Sequence, residues 1–273
     1  MSSPPLLNIA VRAAREAGNV IARNIDRFDA FTVSEKATND YVTDVDRIAE
    51  RRVIDTIRRS HPDHAFLAEE SGAHGRNDFE WIVDPLDGTA NFVHGFPHVA
   101  VSIGVRHRGR MEHGVVFDPL RQELFTASRG SGARLNERRI RVATKSNLKG
   151  ALLGGGFVTR EIDRLESHLA ALRALMSGSA QIRRSGSAAL DLAYVAAGRL
   201  DGFWELGLAP WDLAAGVLLV QEAGGIVSEP GGGDDYLRSG DVAAANPKML
   251  RAMLRTIGPR LSSPAGTSAA RHR

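Results

Sequence analysis

Two aspartates three residues apart, Asp84 and Asp87, close a short apolar run and are followed at once by Gly88 and Thr89. The stretch reads Trp81-Ile82-Val83-Asp84-Pro85-Leu86-Asp87-Gly88-Thr89-Ala90-Asn91-Phe92. In a helix-like turn, a separation of three returns both carboxylates to one face. Held that close they repel, unless a cation or a proton sits between them. Backbone N–H groups at Gly88 and Thr89, where a new helix can begin, suit an anion. Carboxylates for a hard cation beside amides for a phosphate point to metal-assisted phosphate chemistry.

Two other readings compete. Asp-Pro and Asp-Gly pairs are ordinary turn chemistry. Phosphatases that pass through an aspartyl-phosphate use D-x-D-G-T, with the first Asp as nucleophile. Here one more residue intervenes and breaks the strand alternation, which favours two metal ligands over a nucleophile. Other acidic residues join the list of candidates. Glu69 and Glu70 follow an apolar strand and precede Ser71-Gly72, so they can sit at a sheet's carboxyl edge, where ligands collect. Asp44 and Asp46 open a helical pattern, where simple capping competes evenly with a role in the site. Asp212 has the same ambiguity at the start of Trp211-Asp212-Leu213-Ala214-Ala215-Gly216. Lys36 is either an anion contact or a solvated loop lysine.

The elements that must position these residues follow from periodicity. Apolar residues at helical spacing predict helices over residues 6–23, 42–57, 161–176, 186–198, 211–223 and 247–257. Trp81–Val83 reads as a strand that stops at Pro85, which cannot donate to a ladder. Ala65–Leu67 is a further strand. Residues 97–143 read as an antiparallel meander, with strands at 98–106, 110–117 and 123–127 and a tight turn at Arg108-Gly109. Residues 180–183, 201–205, 226–228 and 242–244 are strand-like. Phe31–Tyr41 and Gly72–Asp78 read as loops. Residues 260–273 are small, polar and basic, and are expected to be disordered.

Composition sets the outer bounds. The chain has 273 residues, 43% apolar and 25% charged, which suits a globular protein with a substantial core. There are no cysteines, so disulfides and thiolate metal sites are excluded. No apolar run reaches the length of a membrane span, and the N-terminus lacks a basic-then-apolar leader, so a cytoplasmic protein without membrane partners is expected. Net charge is +3. The pairs Arg51-Arg52, Arg58-Arg59, Arg138-Arg139 and Arg183-Arg184 are not interleaved with aromatics, and read as solvated faces rather than a nucleic-acid surface.

Three separated signatures carry a resemblance: Asp84-Pro-Leu-Asp-Gly-Thr-Ala-Asn-Phe92, Glu69-Glu70-Ser71, and Trp211-Asp-Leu-Ala-Ala-Gly216 with Glu222-Ala-Gly-Gly225. From about Leu6 to Leu254 their order and spacing resemble the inositol monophosphatase family. Pro119-Leu-Arg-Gln-Glu-Leu-Phe125, Arg184-Ser-Gly-Ser-Ala-Ala-Leu-Asp-Leu-Ala-Tyr194 and Ala196-Ala-Gly-Arg-Leu-Asp201 are similar to its bacterial inositol-1-monophosphatase branch.

The resemblance implies an α+β and α/β fold, a layered αβαβα sandwich. Residues 1–145 would carry most metal ligands, residues 146–259 would complete the substrate site, and 260–273 would be a tail. It implies hydrolysis of phosphate monoesters with Mg²⁺, inhibited by Li⁺. Glu69, Asp84 and the Leu86 carbonyl would hold a first Mg²⁺, and Asp84, Asp87 and Asp212 a second. A third, weaker ion would touch Glu69 and waters near Asp46 and Glu70. Gly88 and Thr89 would take phosphate oxygens, while Gly186, Ser187, Ala188 and Glu205 would contact polyol hydroxyls. Thr89 with Asp46 would orient the attacking water, with no phosphoenzyme.

Ala90 departs from the second Thr of many members, but at a position that is not a ligand. Related substrates, namely fructose 1,6-bisphosphate, histidinol phosphate and 3′-phosphoadenosine 5′-phosphate, remain alternatives. The resemblance further implies a homodimer. Some similar bacterial members associate with RNA polymerase in a transcription antitermination complex, which would be a regulatory role of a different class.

Overall fold

The first helix forms where its apolar spacing predicts: Ala10, Ala13, Ala17 and Ile21 are buried along α1 (Pro5–Asn24), joined by Leu7 and Ala14, while Leu6, Ile9 and Val20 are half-buried. In this computed structural model the described residues are 4–27, 33–37, 40–156, 164–178 and 180–261. After α1 comes an antiparallel hairpin of β1 (Val33–Ala37) and β2 (Asp40–Thr43). This corrects the loop expected over 31–41. A two-stranded ribbon can satisfy its backbone across the pair without the apolar alternation that betrays a strand in sequence. Lys36 lies on β1, with its side chain outside the described residues. Thr43 ends the hairpin and caps α2 (Asp44–Arg58), so that helix begins two residues later than its apolar pattern.

The next strands are β3 (Ala65–Ala68), β4 (Gly72–His74), β5 (Phe79–Asp87), β6 (Ala100–His107), β7 (Arg110–Asp118), β8 (Glu123–Ser128), β9 (Gly132–Leu135) and β10 (Arg138–Arg139), with a short helix α3 (Thr89–Val93) after β5. They form one sheet in the order β10-β9-β8-β7-β6-β5-β3-β4. Only the β3–β5 pair is parallel. The meander is therefore the larger part of this sheet. Part of the loop expected over 72–78 is instead the edge strand β4.

The remaining elements are β11 (Leu152–Gly155), α4 (Leu165–Ser177), β12 (Gln181–Arg183), α5 (Ala188–Ala196), β13 (Gly202–Glu205), α6 (Pro210–Glu222), β14 (Ile226–Ser228), α7 (Tyr236–Ser239), β15 (Val242–Ala245) and α8 (Pro247–Leu261). Their sheet runs β12-β11-β13-β15-β14. Helix α8 continues through Arg260 and Leu261, past the expected start of the tail, and residues 262–273 lie outside those described.

Three apolar cores define the layers. One packs α1 and α2 on the outer face of the first sheet, through Ala17, Val53, Phe66, Trp81 and Val101. The second packs α5 and α6 between the sheets, through Ile82, Phe125, Leu192, Leu218 and Phe203. The third packs α4 and α8 on the far side of the second sheet, through Leu175, Trp204, Met249 and Met253. The result is the layered αβαβα sandwich.

Close approach matters most where α6 meets the first sheet. A Cβ on Gly104 would come within 2.9 Å of the Ala214 Cβ, and one on Gly114 within 2.8 Å of the Ala215 carbonyl oxygen. Both distances are below ordinary contact. Glycine at these two places lets α6, which begins with Pro210-Trp211-Asp212, lie flat against the strands that follow Asp84 and Asp87.

Candidate active site

The expected stop of β5 at Pro85 does not occur. The strand runs on to Asp87, with its register against β6 slipping between Asp84, opposite Ser102, and Asp87, opposite Ala100. Such a bulge is one of the few places within a sheet where a residue without an N–H is tolerated. It also re-aims the two flanking carboxylates. Asp84 Oδ1 accepts from the Leu86 N–H at 3.0 Å, an Asx-type turn that holds the bulge shut. Gly88 then takes φ +92° and caps α3. A Cβ there would lie 3.0 Å from the His98 carbonyl oxygen and 3.2 Å from that of Gly186, so only glycine fits.

Asp84 is the electrostatic centre. It is buried, and desolvation pushes its pKa well above the usual carboxylate range, with Glu69, Asp87 and Asp212 adding to the rise in that order. Glu69 arrives just beyond the end of β3, where its N–H donates to the Val83 carbonyl at 3.1 Å. Asp212 arrives on the first turn of α6. Ser102, directly across from Asp84, donates its hydroxyl to the Trp211 carbonyl at 3.1 Å and thereby ties that helix start to the strand. The Asp212 side chain also accepts from the Ala209 N–H at 2.7 Å, as the capping reading expects, while its charge adds to the rise at Asp84.

Asp87 faces the second sheet's half of the molecule. Its Oδ2 accepts from the Ser187 hydroxyl at 2.5 Å and from the Ala189 N–H at 2.8 Å. Burial still raises its pKa to about 6, against the lowering effect of Ser187 and the N–H groups at the start of α5. Ser187 is the N-cap of that helix, and Ala188 is its first residue. Glu205, at the end of β13, has its pKa raised well above normal by burial, then by Asp191, Asp212 and Asp87. It therefore shares the field of this cluster.

Thr89 and Asp46 meet as expected. The Thr89 Oγ1 lies 2.8 Å from Asp46 Oδ1 and 3.0 Å from the Leu86 carbonyl oxygen, sharing one proton between them. The other oxygen of Asp46 accepts from the Thr43 N–H and hydroxyl at 2.8 and 2.5 Å, closing a capping box. Burial raises the pKa of Asp46, opposed by Thr43 and Thr89. Glu70 is placed next to the cluster by its N–H, which donates to the buried Glu50 Oε2 at 2.8 Å.

The donor set suits a hard divalent ion. Buried carboxylates that raise one another's pKa are what a cation relieves. Among the described residues no three acidic or histidine side chains enclose an ion by themselves. That is compatible with Mg²⁺, which keeps several waters and takes one or two carboxylates plus substrate phosphate rather than a full protein cage.

Three residues of this site were not singled out from the sequence: Asn91, Ser185 and Asp191. Asn91 joins His98 and Ser185, and Asp191 accepts from the Ser185 hydroxyl at 2.7 Å. Burial raises Asp191 to about 7, with Asp87 adding to it. The available signal was an Asn inside the first signature and an Asp one helical turn past Ser187.

Comparisons with known proteins give the family and the fold. The profile of the inositol monophosphatase family matches residues 3–259. A protein of Pseudomonas aeruginosa called Nus factor SuhB is 54% identical over 263 residues, covering 94% of this chain and 97% of that protein. The crystal structure of extragenic suppressor protein suhB from Bartonella henselae superposes with a TM-score of 0.90 at 42% identity, over 93% of this chain and 98% of that one. The inositol monophosphatase of Anabaena (Nostoc) sp. superposes with a TM-score of 0.82 at 38% identity, over 95% and 96% of the two chains.

Proposed function

This chain belongs to the inositol monophosphatase family, and from that premise we propose that its substrate is an inositol phosphate, cleaved to inositol and phosphate. At the coarser level it is a metal-dependent phosphatase, as the family is. The observation that carries the metal-dependent phosphatase chemistry is the convergence of Glu69, Asp87 and Asp212 on the buried Asp84, and the choice of inositol phosphate rests on the family. In this reading Glu69, Asp84 and the Leu86 carbonyl hold one Mg²⁺, and Asp84, Asp87 and Asp212 a second. A third, weaker ion lies toward Glu70, and Li⁺ inhibits. Bound Mg²⁺ supplies positive charge to the phosphate oxygens, acidifies water and stabilises the leaving oxygen.

The chain's own residues do the rest. The Gly88 and Thr89 amides orient phosphate oxygens. The Thr89 proton is engaged by Asp46 and Leu86, which leaves its lone pairs to accept from the attacking water. Asp46, held by Thr43, is the acceptor toward which that proton moves. Gly186, Ser187, Ala188 and Glu205 face the polyol, in a half that we begin at residue 146. This division of labour is electrostatic positioning for an in-line displacement.

The test is a panel of phosphate monoesters assayed with Mg²⁺. Inositol 1-phosphate is expected to have the highest kcat/KM, ahead of fructose 1,6-bisphosphate, histidinol phosphate and 3′-phosphoadenosine 5′-phosphate. Negligible turnover of inositol 1-phosphate beside brisk turnover of another ester would replace the substrate and keep the chemistry.

A second role rests on the name Nus factor carried by relatives such as the Pseudomonas protein. We propose that this chain, as a cytoplasmic homodimer, also joins an antitermination complex with RNA polymerase. Among the described residues no helix is long and apolar enough to cross a membrane. Pull-down of RNA polymerase by both wild type and Asp87→Asn would support a binding role independent of hydrolysis. Absence of capture by either would remove it.

A further inference from the structure

We propose that Asn91 is a positioning residue that clasps the substrate-facing turn of one half onto the phosphate-facing turn of the other. The proposal deepens the phosphatase reading above and rests on it for its kinetic consequences. A primary amide has two N–H bonds on one nitrogen. In Asn91 that nitrogen reaches two backbone carbonyls, His98 at 2.8 Å and Ser185 at 2.9 Å. His98 follows α3, on the same side as Gly88 and Thr89. Ser185 lies between β12 and α5, on the other side. One side chain therefore joins the two turns.

The same turn is tied at two further points. The Ser185 hydroxyl donates to Asp191 Oδ1 at 2.7 Å, and the Ser187 hydroxyl donates to Asp87 Oδ2 at 2.5 Å. The fit around the amide is close. A Cβ on Gly186, which has φ +83°, would stand 3.0 Å from both Nδ2 and Oδ1 of Asn91. Asn91 lies in α3, two residues past Thr89, so it moves with the turn that orients phosphate. Its grip on Ser185 fixes where Ser187 and the Ala189 N–H meet Asp87. Without it, substrate and metal would have to order the turn as they bind, and that cost appears in apparent affinity rather than in the chemical step.

Asn91→Asp tests the idea, because a carboxylate of the same shape presents acceptors to two carbonyl acceptors. KM and the half-saturating Mg²⁺ concentration are each expected to rise about tenfold, the scale of leaving a buried partner unsatisfied. At saturation kcat should stay within about threefold. Hydrogen exchange of the amides over 186–190, measured on the full chain without added Mg²⁺, should speed up. Ser185→Ala, which removes only the tie to Asp191, should move all three readouts the same way by less.

Wild-type KM, Mg²⁺ dependence and exchange in Asn91→Asp would overturn the clasp. A fall in kcat with those three unchanged would overturn it equally. Should Asn91→Asp not accumulate as folded protein, unchanged values in the neutral Asn91→Ala, which also removes both amide donations, decide against it. Exchange needs no substrate. A wild type inactive on every ester would thus refute the phosphatase reading, while loss of protection in the variants would still support the clasp.

Discussion

The turn over Asp84–Thr89 and the turn over Arg184–Ala188 face each other across the site and are held by different forces. The first is built into a sheet. Its strand lies between β3 and β6, Leu86 is buried, and the bulge is closed by Asp84 on the Leu86 N–H. The second lies between β12 and α5, exposes Gly186, and is tied by the side chains of Asn91, Asp191 and Asp87. Carboxylates that repel one another need a backbone that cannot relax, whereas a turn that meets a substrate can be held by a few hydrogen bonds. Charge sits on the rigid side, and the substrate contacts proposed above fall on the adjustable side.

The strongest way to break this contrast is to remove charge from the cluster around Asp84, at Asp87 in the first turn or at Asp212 on the start of α6. Asp87→Asn and Asp212→Asn should each lower kcat by more than about 100-fold at saturating Mg²⁺, the scale of losing one preorganised electrostatic group. Near-normal steady-state turnover in either variant would show that the charge at that position is not part of the machinery.

A smaller effect is expected where the two turns touch. Gly88→Ala puts a Cβ into positive-φ backbone, 3.0 Å from one carbonyl and 3.2 Å from the other. A loss of about 1–3 kcal/mol in a denaturant titration is expected, the cost of a strained left-handed residue crowded by both carbonyls. A midpoint unchanged from wild type would mean that the second turn yields to the intrusion.

The smallest effect at neutral pH concerns the support beneath the second turn. His168 on α4 stacks on Trp204 of β13 with ring centroids 4.5 Å apart. Burial first, and then the charge of Arg184, holds its pKa down to about 4. Between pH 6.5 and that value the unfolded chain binds a proton that the folded one refuses. Stability therefore falls as pH drops through this window and is unaffected above it. His168→Phe should flatten that dependence in thermal melts from pH 7 to pH 4.5. An unaltered slope would assign the acid sensitivity to other groups.

Much of this was legible from residue order, and what was missed has physical causes. Helices α1 and α2 showed their apolar stripes directly, α6 read as a buried helix with a glycine stop, and the Arg108-Gly109 turn between β6 and β7 was marked by its glycine. The turn takes positive φ at both residues, as a tight hairpin requires. The hairpin β1–β2 was invisible because pairing across a polar ribbon leaves no alternation. Pro85 misled because a bulge, which exempts a residue from the ladder, has no signature apart from its partner strand. In the candidate site, Asp84 and Asp87 stood out by type and spacing, while the parts given to Glu69, Thr89 and Asp46 came from the family resemblance. Asp191 did not stand out, because an aspartate in the first turn of a helix reads as dipole complement or solvated face until burial is known.

The sequence by itself determined which local pieces form and which carry acid groups, because helix periodicity, capping and turn chemistry act over a few residues. It could not determine whether Asp212 would approach Asp84, or that Asn91 would reach the carbonyls of both His98 and Ser185. Those outcomes depend on helix α6 settling against Gly104 and Gly114, and on the two sheets enclosing α5 and α6. Packing of that kind is a property of surfaces brought together from distant parts of the chain, and the tertiary structure alone decides it.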